Sequence, residues 1–427
     1  MNILFTNITI NSPLDKINSN YNLWIKDGFI YKLTPKEIKP DIGTEIIDGK
    51  EFTAIPGLFD MHVHFRDPGF EAKEDILSGA NAAANGGFTG VLIMPNTKPC
   101  IDDKTVIQYI KSKSKNLICD VFIASTLTQS MEGKIISNMI ELAENGALLF
   151  TDDGKCVLSS EVMRRAFDYA APKNFLLAQH CEDSTMTENF DMNESNLSVQ
   201  LGLKGYPNVA EEIILARDVL ISHYCGNRRY HAQHISTKGS VDIIHQAKRV
   251  NPNISCEITP HHFSLTEDYL VEYDTNFKMN PPLRKQCDID SLIEGLKDGT
   301  IDVIASDHAP HSQLEKDVEF DKAPNGIIGL ETSFGLSYTN LVAKGYLSLE
   351  DLIYKMSINP RKILGLEDIH IKQGSKANLT IINTNAKWIV NKENFKSKSR
   401  NTPFDEMKLQ GKVFCSINNN QMIKSSL

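Results

Sequence analysis

The pair His62 and His64 sets two imidazoles two residues apart at the end of the apolar run AIPGLFDMHVH. On an extended strand the period of two points both rings to one side, so two nitrogens can grip one ion. A bare HxH is as often a polar strand end, and its meaning rests on its company. That company is His180 in NFLLAQHCE, His234 in RRYHAQHIS and Asp307 in IDVIASDHAPH, each closing a separate apolar run. Imidazoles with a carboxylate suit zinc, and iron, manganese or cobalt can substitute. Five such groups exceed the roughly three protein ligands of one tetrahedral catalytic zinc, so two metals are expected. Two ions about 3.5–4 Å apart need a bridge, and either Asp152 or Asp153 of TDDGK offers the anion by chemistry alone.

Two divalent ions sharing a water lower its pKa toward neutrality and polarise a carbonyl. Amide hydrolysis then needs a proton shuttle, for which Asp307 is the candidate. Arg66, two residues after His64, offers a bidentate fork to a carboxylate, with Asn96 and His311 as further donors, so an acidic substrate is expected. The local alternative for Arg66 is an ion pair with Asp67 or Glu71. His261 and His262 also stand at a strand end and are read as structural, since the ligand set is already full.

The elements that must position these residues repeat one theme from about Ala54 to Leu366: a short apolar run, an abrupt polar or Gly-containing stop, then helical spacing. Eight such runs occur: AIPGLFDMHVH, FTGVLIMPN, CDVFIAST, ALLFTDD, NFLLAQHCE, RRYHAQHIS, NISCEITPHH and IDVIASDHAPH. Helical stretches such as EDILSGANAAANGG and SVDIIHQAKRVNP intervene, so successive strands should be parallel, and eight parallel units close as a TIM barrel. His62, His64, Asn96, Asp153, His180, His234 and Asp307 all fall at or just after run ends, on the C-terminal rim where this fold keeps its active sites.

Short alternating strands with Asn, Asp and Gly turns fill the first 53 residues and return in KANLTIINTNAKWIV and GKVFCSI. Neither end can bury a core alone, so residues 1–53 and 367–427 are expected to join in one small composite β-sandwich domain, with the (β/α)8 barrel, α/β in class, over 54–366. The polar segment HSQLEKDVEFDKAPNGIIG after the eighth run is read either as a closing lid or as a plain surface loop.

Composition narrows the class. Of 427 residues, 41% are hydrophobic and 23% charged, which supports a sizeable core and excludes disorder. A formal charge of −9 without a basic stripe argues against nucleic acid and for a small-molecule partner. The eight cysteines are scattered without a CxxC pair and read as reduced, in keeping with a cytoplasmic protein. The N-terminus MNILFTNITINSPLDK lacks the pattern of an export signal, and no run of about 18 apolar residues occurs, so a membrane span is not expected.

The segments PGLFDMHVHFRDPG, MPNTKP, FTDDG, AQHCED, HISTKGS, ITPHHFSL, FKMNPPLR and SDHAPH resemble, in order and spacing, the signatures of bacterial class I dihydroorotases of the amidohydrolase superfamily. The likeness runs from about Pro56 to Thr332 and continues weakly through KANLT and RNTPF. It implies reversible cyclisation of N-carbamoyl-L-aspartate to L-dihydroorotate in pyrimidine (UMP) biosynthesis, on a barrel with a small composite β-domain. It further implies that His62, His64 and Asp307 hold one zinc, that His180 and His234 hold the other, and that Asp153 touches both. Arg66, Asn96 and His311 would hold the substrate carboxylates, with Asn280 and the backbone at Asn325 and Gly326 completing the pocket, and Asp307 would be the acid/base. Asp67 stands where the family usually has Glu. Hydantoinases and allantoinases, which bridge their metals with a carbamylated lysine, are the competing enzymes. A non-catalytic scaffold for aspartate transcarbamoylase is the competing reading of another class, and such homologues typically lack the metal ligands present here. A homodimer and association with aspartate transcarbamoylase are the candidate protein partners.

Overall fold

The computed structural model describes residues 1–427. Its centre is a parallel sheet of eight strands in sequential order, Leu58–Val63, Phe88–Ile93, Asp120–Ser125, Ala147–Phe150, Leu176–Gln179, Tyr230–Ala232, Ile254–Ile258 and Val303–Ile304. Each coincides with one of the eight apolar runs. The ring closes through a parallel bridge between Val63 and His308, where the His64 N–H donates to the His308 carbonyl at 2.9 Å. The expected TIM barrel is therefore the observed one.

Helices follow the strands and cover the ring, including Ile76–Asn85, Lys104–Lys113, Ser160–Ala170, Asn208–Tyr224, Lys238–Val250, Gln286–Asp298 and Leu330–Ser337. Local sequence sets their ends: Asp75 caps the first by accepting the Ser78 N–H at 2.8 Å, and Asp103 caps the second by accepting the Thr105 N–H at 2.7 Å. Val106, Ile107 and Ile110 form one buried stripe on Lys104–Lys113, the helical period that packs such an element on the sheet. The barrel strands pack apolar side chains such as Val91, Ile123 and Phe150 against the helices, and a second apolar cluster with Phe59, Leu92, Leu149, Leu176 and Val303 lies among the strands themselves, beside buried polar side chains. Asp60 is one of these; it accepts the Ser306 and His62 N–H groups and ties the first strand to the end of the eighth. Burial pushes its carboxyl up to about 7, against the pull of those donors.

Strands from both chain ends join in a second eight-stranded sheet, running Gln421–Lys424, Lys408–Asn418, Leu379–Ile389, Thr53–Pro56, Asn2–Ser12, Ile17–Lys26 and Phe29–Thr34, with Glu45–Asp48 also on Asn2–Ser12. Phe5, Ile8, Ile10, Leu23, Leu379, Ile381 and Ile417 form its own core. All eight cysteines are free. No helix is long and apolar enough to cross a membrane.

Candidate active site

His62 and His64 close the first barrel strand with both rings turned into the barrel mouth, 5.3 Å apart between centroids. Asp307 reaches them from the eighth strand end, its Oδ1 3.1 Å from His64 Nε2 and 3.5 Å from His62 Nε2. Asp153, from the fourth, places Oδ2 3.2 Å from His62 Nε2 and 3.4 Å from His64 Nε2. Its other oxygen faces the opposite pair, 3.7 Å from His234 Nε2 and 4.0 Å from His180 Nδ1. His180 Nδ1 and His234 Nε2 lie 2.8 Å apart. All six groups are nearly or fully buried.

The outer nitrogens explain how the rings are held. His62 Nδ1 meets Glu257 Oε1 at 2.5 Å, His64 Nδ1 meets Asn96 Oδ1 at 2.8 Å, and His180 Nε2 meets Glu182 Oε2 at 2.7 Å. Each acceptor takes the outer nitrogen of its ring, and the inner nitrogen turns to the cluster. Burial alone would push His62 down, yet the Asp153, Glu257 and Asp307 carboxylates outweigh it and hold this ring well above the usual histidine range. Burial likewise opposes ionisation of Asp153 and Asp307, and the surrounding imidazoles overcome it, keeping both carboxyls below their ordinary range. A pocket with this field attracts positive charge. Asp153 Oδ1 and His234 Nδ1 are buried without hydrogen-bond partners, and geometry alone groups His62, Asp153 and His234, and His62, His64 and Asp307, as sets close enough to share an ion.

Asp152, left open as an alternative by chemistry, turns away. Its oxygens accept the Leu127 and Thr128 N–H groups, both at 2.9 Å, and the Thr128 hydroxyl. The choice between neighbouring aspartates thus follows from which way the turn after Ala147–Phe150 faces each side chain.

Above the cluster lies a cavity of about 250 Å³ lined mostly by polar residues, Arg66, Asn96, Asn280, His311 and Asn325 with Gly326, as well as by His64, Asp153, His180, His234 and Asp307. It adjoins a wider polar cleft of about 760 Å³ that shares Gly154, Asn280 and Asn325. Arg66 does not pair with its neighbours: Asp67 is taken by Lys113 at 3.1 Å and by the Tyr109 hydroxyl at 2.9 Å, while Glu71 accepts the Gly69 N–H. Only its Nε is used, donating to the Pro310 carbonyl at 3.2 Å, which leaves the fork of the guanidinium toward the cavity. Burial lowers its pKa to about 10, so it stays charged at neutral pH. Arg66, His234 and Asp307 all hold positive φ (60°, 30° and 48°), a backbone cost that clusters at functional sites.

Asn280 donates its Nδ2 to Glu182 Oε2 at 2.8 Å and leaves Oδ1 buried without a partner. His311 donates Nε2–H to the Asn325 carbonyl at 2.9 Å and leaves Nδ1 without a hydrogen-bond partner, 3.7 Å from Glu315 Oε2. His261 and His262 are buried beside the site, and His262 bridges Thr259 Oγ1 and the Pro281 carbonyl, holding the chain after Asn280. The segment 311–329 is anchored: Lys316 Nζ donates to the Thr275 and Pro324 carbonyls, and Lys278 Nζ pairs with Asp191 and donates to the Phe320 carbonyl.

Sequence reasoning missed Glu182 and Glu257. Glu257 carried a signal, since a carboxylate inside the apolar run ISCEI has no place in a barrel interior without partners; here it meets His62 and, at 3.2 Å, His231 Nε2. Glu182 stands two residues after His180 and serves His180, Asn280 and Thr187 together.

A family model described as dihydro-orotase-like matches residues 53–240. The dihydroorotase of Trichlorobacter lovleyi is 45% identical over 418 residues, 98% of each chain. That of Clostridioides difficile is 45% identical over 421 residues, 99% of each. This chain belongs to the dihydroorotase family. Among solved structures, L-hydantoinase (dihydropyrimidinase) from Arthrobacter aurescens superposes with a TM-score of 0.87 at 23% identity, over 99% of this chain and 96% of the other. A dihydropyrimidinase from Brevibacillus agri gives 0.85 at 19%, over 100% and 95%. At such identities this chain's likeness to those two structures is one of fold.

Proposed function

We propose that this chain catalyses the reversible cyclisation of N-carbamoyl-L-aspartate to L-dihydroorotate, with two zinc ions, and that it is a class I dihydroorotase of the cytoplasm. The observation that carries the reading is the unpaired Arg66 fork facing the same small polar cavity as the imidazole and carboxylate cluster. Near-full-length relatives named dihydroorotase support it. Within this reading residues 54–366 carry the chemistry, and residues 1–53 with 367–427 form the supporting unit.

The donor set suits two divalent ions. His62, His64 and Asp307 would hold one, His180 and His234 the other, and Asp153, with an oxygen toward each pair, would touch both. When bound, such ions polarise a carbonyl and make water nucleophilic at neutral pH. Asp153 at this position, in place of a carbamylated lysine, is the basis of the class I assignment.

The chain's own groups do the rest. Arg66 holds the carboxylate shared by both substrates in a bidentate grip, and Asn96 adds Nδ2, since its Oδ1 is committed to His64. His311 meets that carboxylate through Nδ1 only as a charged ring; burial and Arg66 push its pKa down in the open site, and the incoming anion offsets them. Asn280 presents Oδ1 as an acceptor for a ureido N–H, an orientation set by Glu182. In ring closure the carbamoyl nitrogen attacks the side-chain carboxylate carbon, the C–N bond forms, and a C–O bond breaks; the departing oxygen leaves as water once it holds the proton from nitrogen and a second one taken from solvent. Asp307 takes the proton from nitrogen and returns it to the departing oxygen, and in hydrolysis it runs the transfer backwards.

The direct test is interconversion of the two compounds by purified protein with and without a chelator. Activity lost on chelation and restored by zinc is expected; retained turnover of uncharged hydantoins, or no turnover with zinc restored, would overturn the reading. Replacing Arg66 by Met should raise KM about 100-fold or more, as expected for removing a charged bidentate contact, and should abolish the preference for carboxylated over uncharged rings. Steady-state kinetics on both substrate types decide it.

A further inference from the structure

Asn401 lies outside the barrel, in the link between the strands Leu379–Ile389 and Lys408–Asn418 of the second sheet, yet it reaches the back of the cavity wall. Its Nδ2 donates to the Ala309 carbonyl at 3.1 Å and the Gly326 carbonyl at 3.0 Å. Its Oδ1 accepts the His311 N–H at 3.2 Å, and its backbone carbonyl accepts the Ile328 N–H at 3.0 Å. The residue is buried, and one neutral carboxamide thus uses both donors and an acceptor across two strands of chain that are also joined by Ala309 N–H to the Ile327 carbonyl at 2.8 Å and by His311 Nε2–H to the Asn325 carbonyl at 2.9 Å. These two strands of chain carry His311, Asn325 and Gly326, three of the groups lining the cavity. They touch so closely that a Cβ on Gly326, at φ +127°, would stand 2.8 Å from the Ala309 Cβ.

We propose that Asn401 is a positioning residue for substrate binding: the C-terminal link braces, from behind, the two loops that present His311 and the Asn325–Gly326 backbone to the substrate. The proposal rests on the dihydroorotase reading for its substrate, while the brace itself rests on geometry. The link is held independently, since Ser399 Oγ donates to the Lys73 carbonyl at 2.8 Å and Ser397 bonds Glu74, so it can serve as a fixed support. An amide is the group that fits: an aspartate here would set a buried carboxylate against two carbonyl oxygens.

The experiment compares full-length Asn401→Ala and Asn401→Asp with the parent chain in kcat and KM for both substrates, in metal content, and in hydrogen exchange over 309–328. Asn401→Ala should raise KM about 10-fold or more with kcat within about 3-fold, as loss of two or three buried hydrogen bonds predicts, and Asn401→Asp should raise it further. Metal content should stay unchanged, and exchange over 309–328 should accelerate. A fall in kcat at unchanged KM, which a smaller folded fraction would produce, overturns the proposal, as does unchanged exchange. Should Asn401→Ala not fold, Asn401→Ser keeps one donor and carries the same comparison. An inactive parent chain would count against the dihydroorotase reading alone, because hydrogen exchange still decides whether Asn401 braces the loops.

Discussion

Replacing Asp307 by Asn should lower kcat by about a thousandfold or more in both directions, with the fold intact, because the amide keeps the shape of the side chain but cannot accept the proton. The surroundings make the substitution informative. Asp307 sits at positive φ with Oδ1 3.1 Å from His64 Nε2, and the neighbouring imidazoles hold it ionised despite burial, the state that the proposed base requires. An Asn retains one oxygen toward the cluster. Elemental analysis alongside the kinetics separates two roles: activity lost with metal retained assigns proton transfer, whereas metal lost in parallel assigns ligation. Activity within a few-fold of the parent would remove Asp307 from the chemistry.

The second large effect is expected at Asp153, and its neighbour supplies the control. Asp153→Ala should reduce bound metal from two ions per chain to one or none, with activity down about a thousandfold or more, since it removes the only carboxylate that faces both histidine pairs. Asp152→Ala leaves that cluster alone. It strips the acceptor from the Leu127 and Thr128 N–H groups and should cost about 2–3 kcal/mol of stability while metal stoichiometry stays at the parent value. Denaturant unfolding and elemental analysis of both variants make the comparison. The reverse assignment, metal loss from Asp152→Ala and retention in Asp153→Ala, would refute the site as drawn.

These two aspartates also mark where sequence reasoning stops. The eight apolar runs became the eight barrel strands because a strand buried on both sides needs continuous apolar sequence, and that need is local. Residues at the run ends came to one rim because parallel strands in a closed ring share a direction. The period of two placed His62 and His64 together for the same reason. Those features, and the charge balance that pointed to a small-molecule partner, were determined by the sequence alone. Whether Asp152 or Asp153 faces the histidines depends on how one turn packs, which a repeat of identical residues cannot reveal. Whether Arg66 pairs with Asp67 depends on Lys113 and Tyr109 arriving from the second helix, Lys104–Lys113. Glu257 finds His62 across 195 residues, and Asn401 finds Ala309 across 92. Such contacts form only when the barrel and the second sheet have docked, because burial then requires every polar group to find a partner and the tertiary structure decides which partner is in reach.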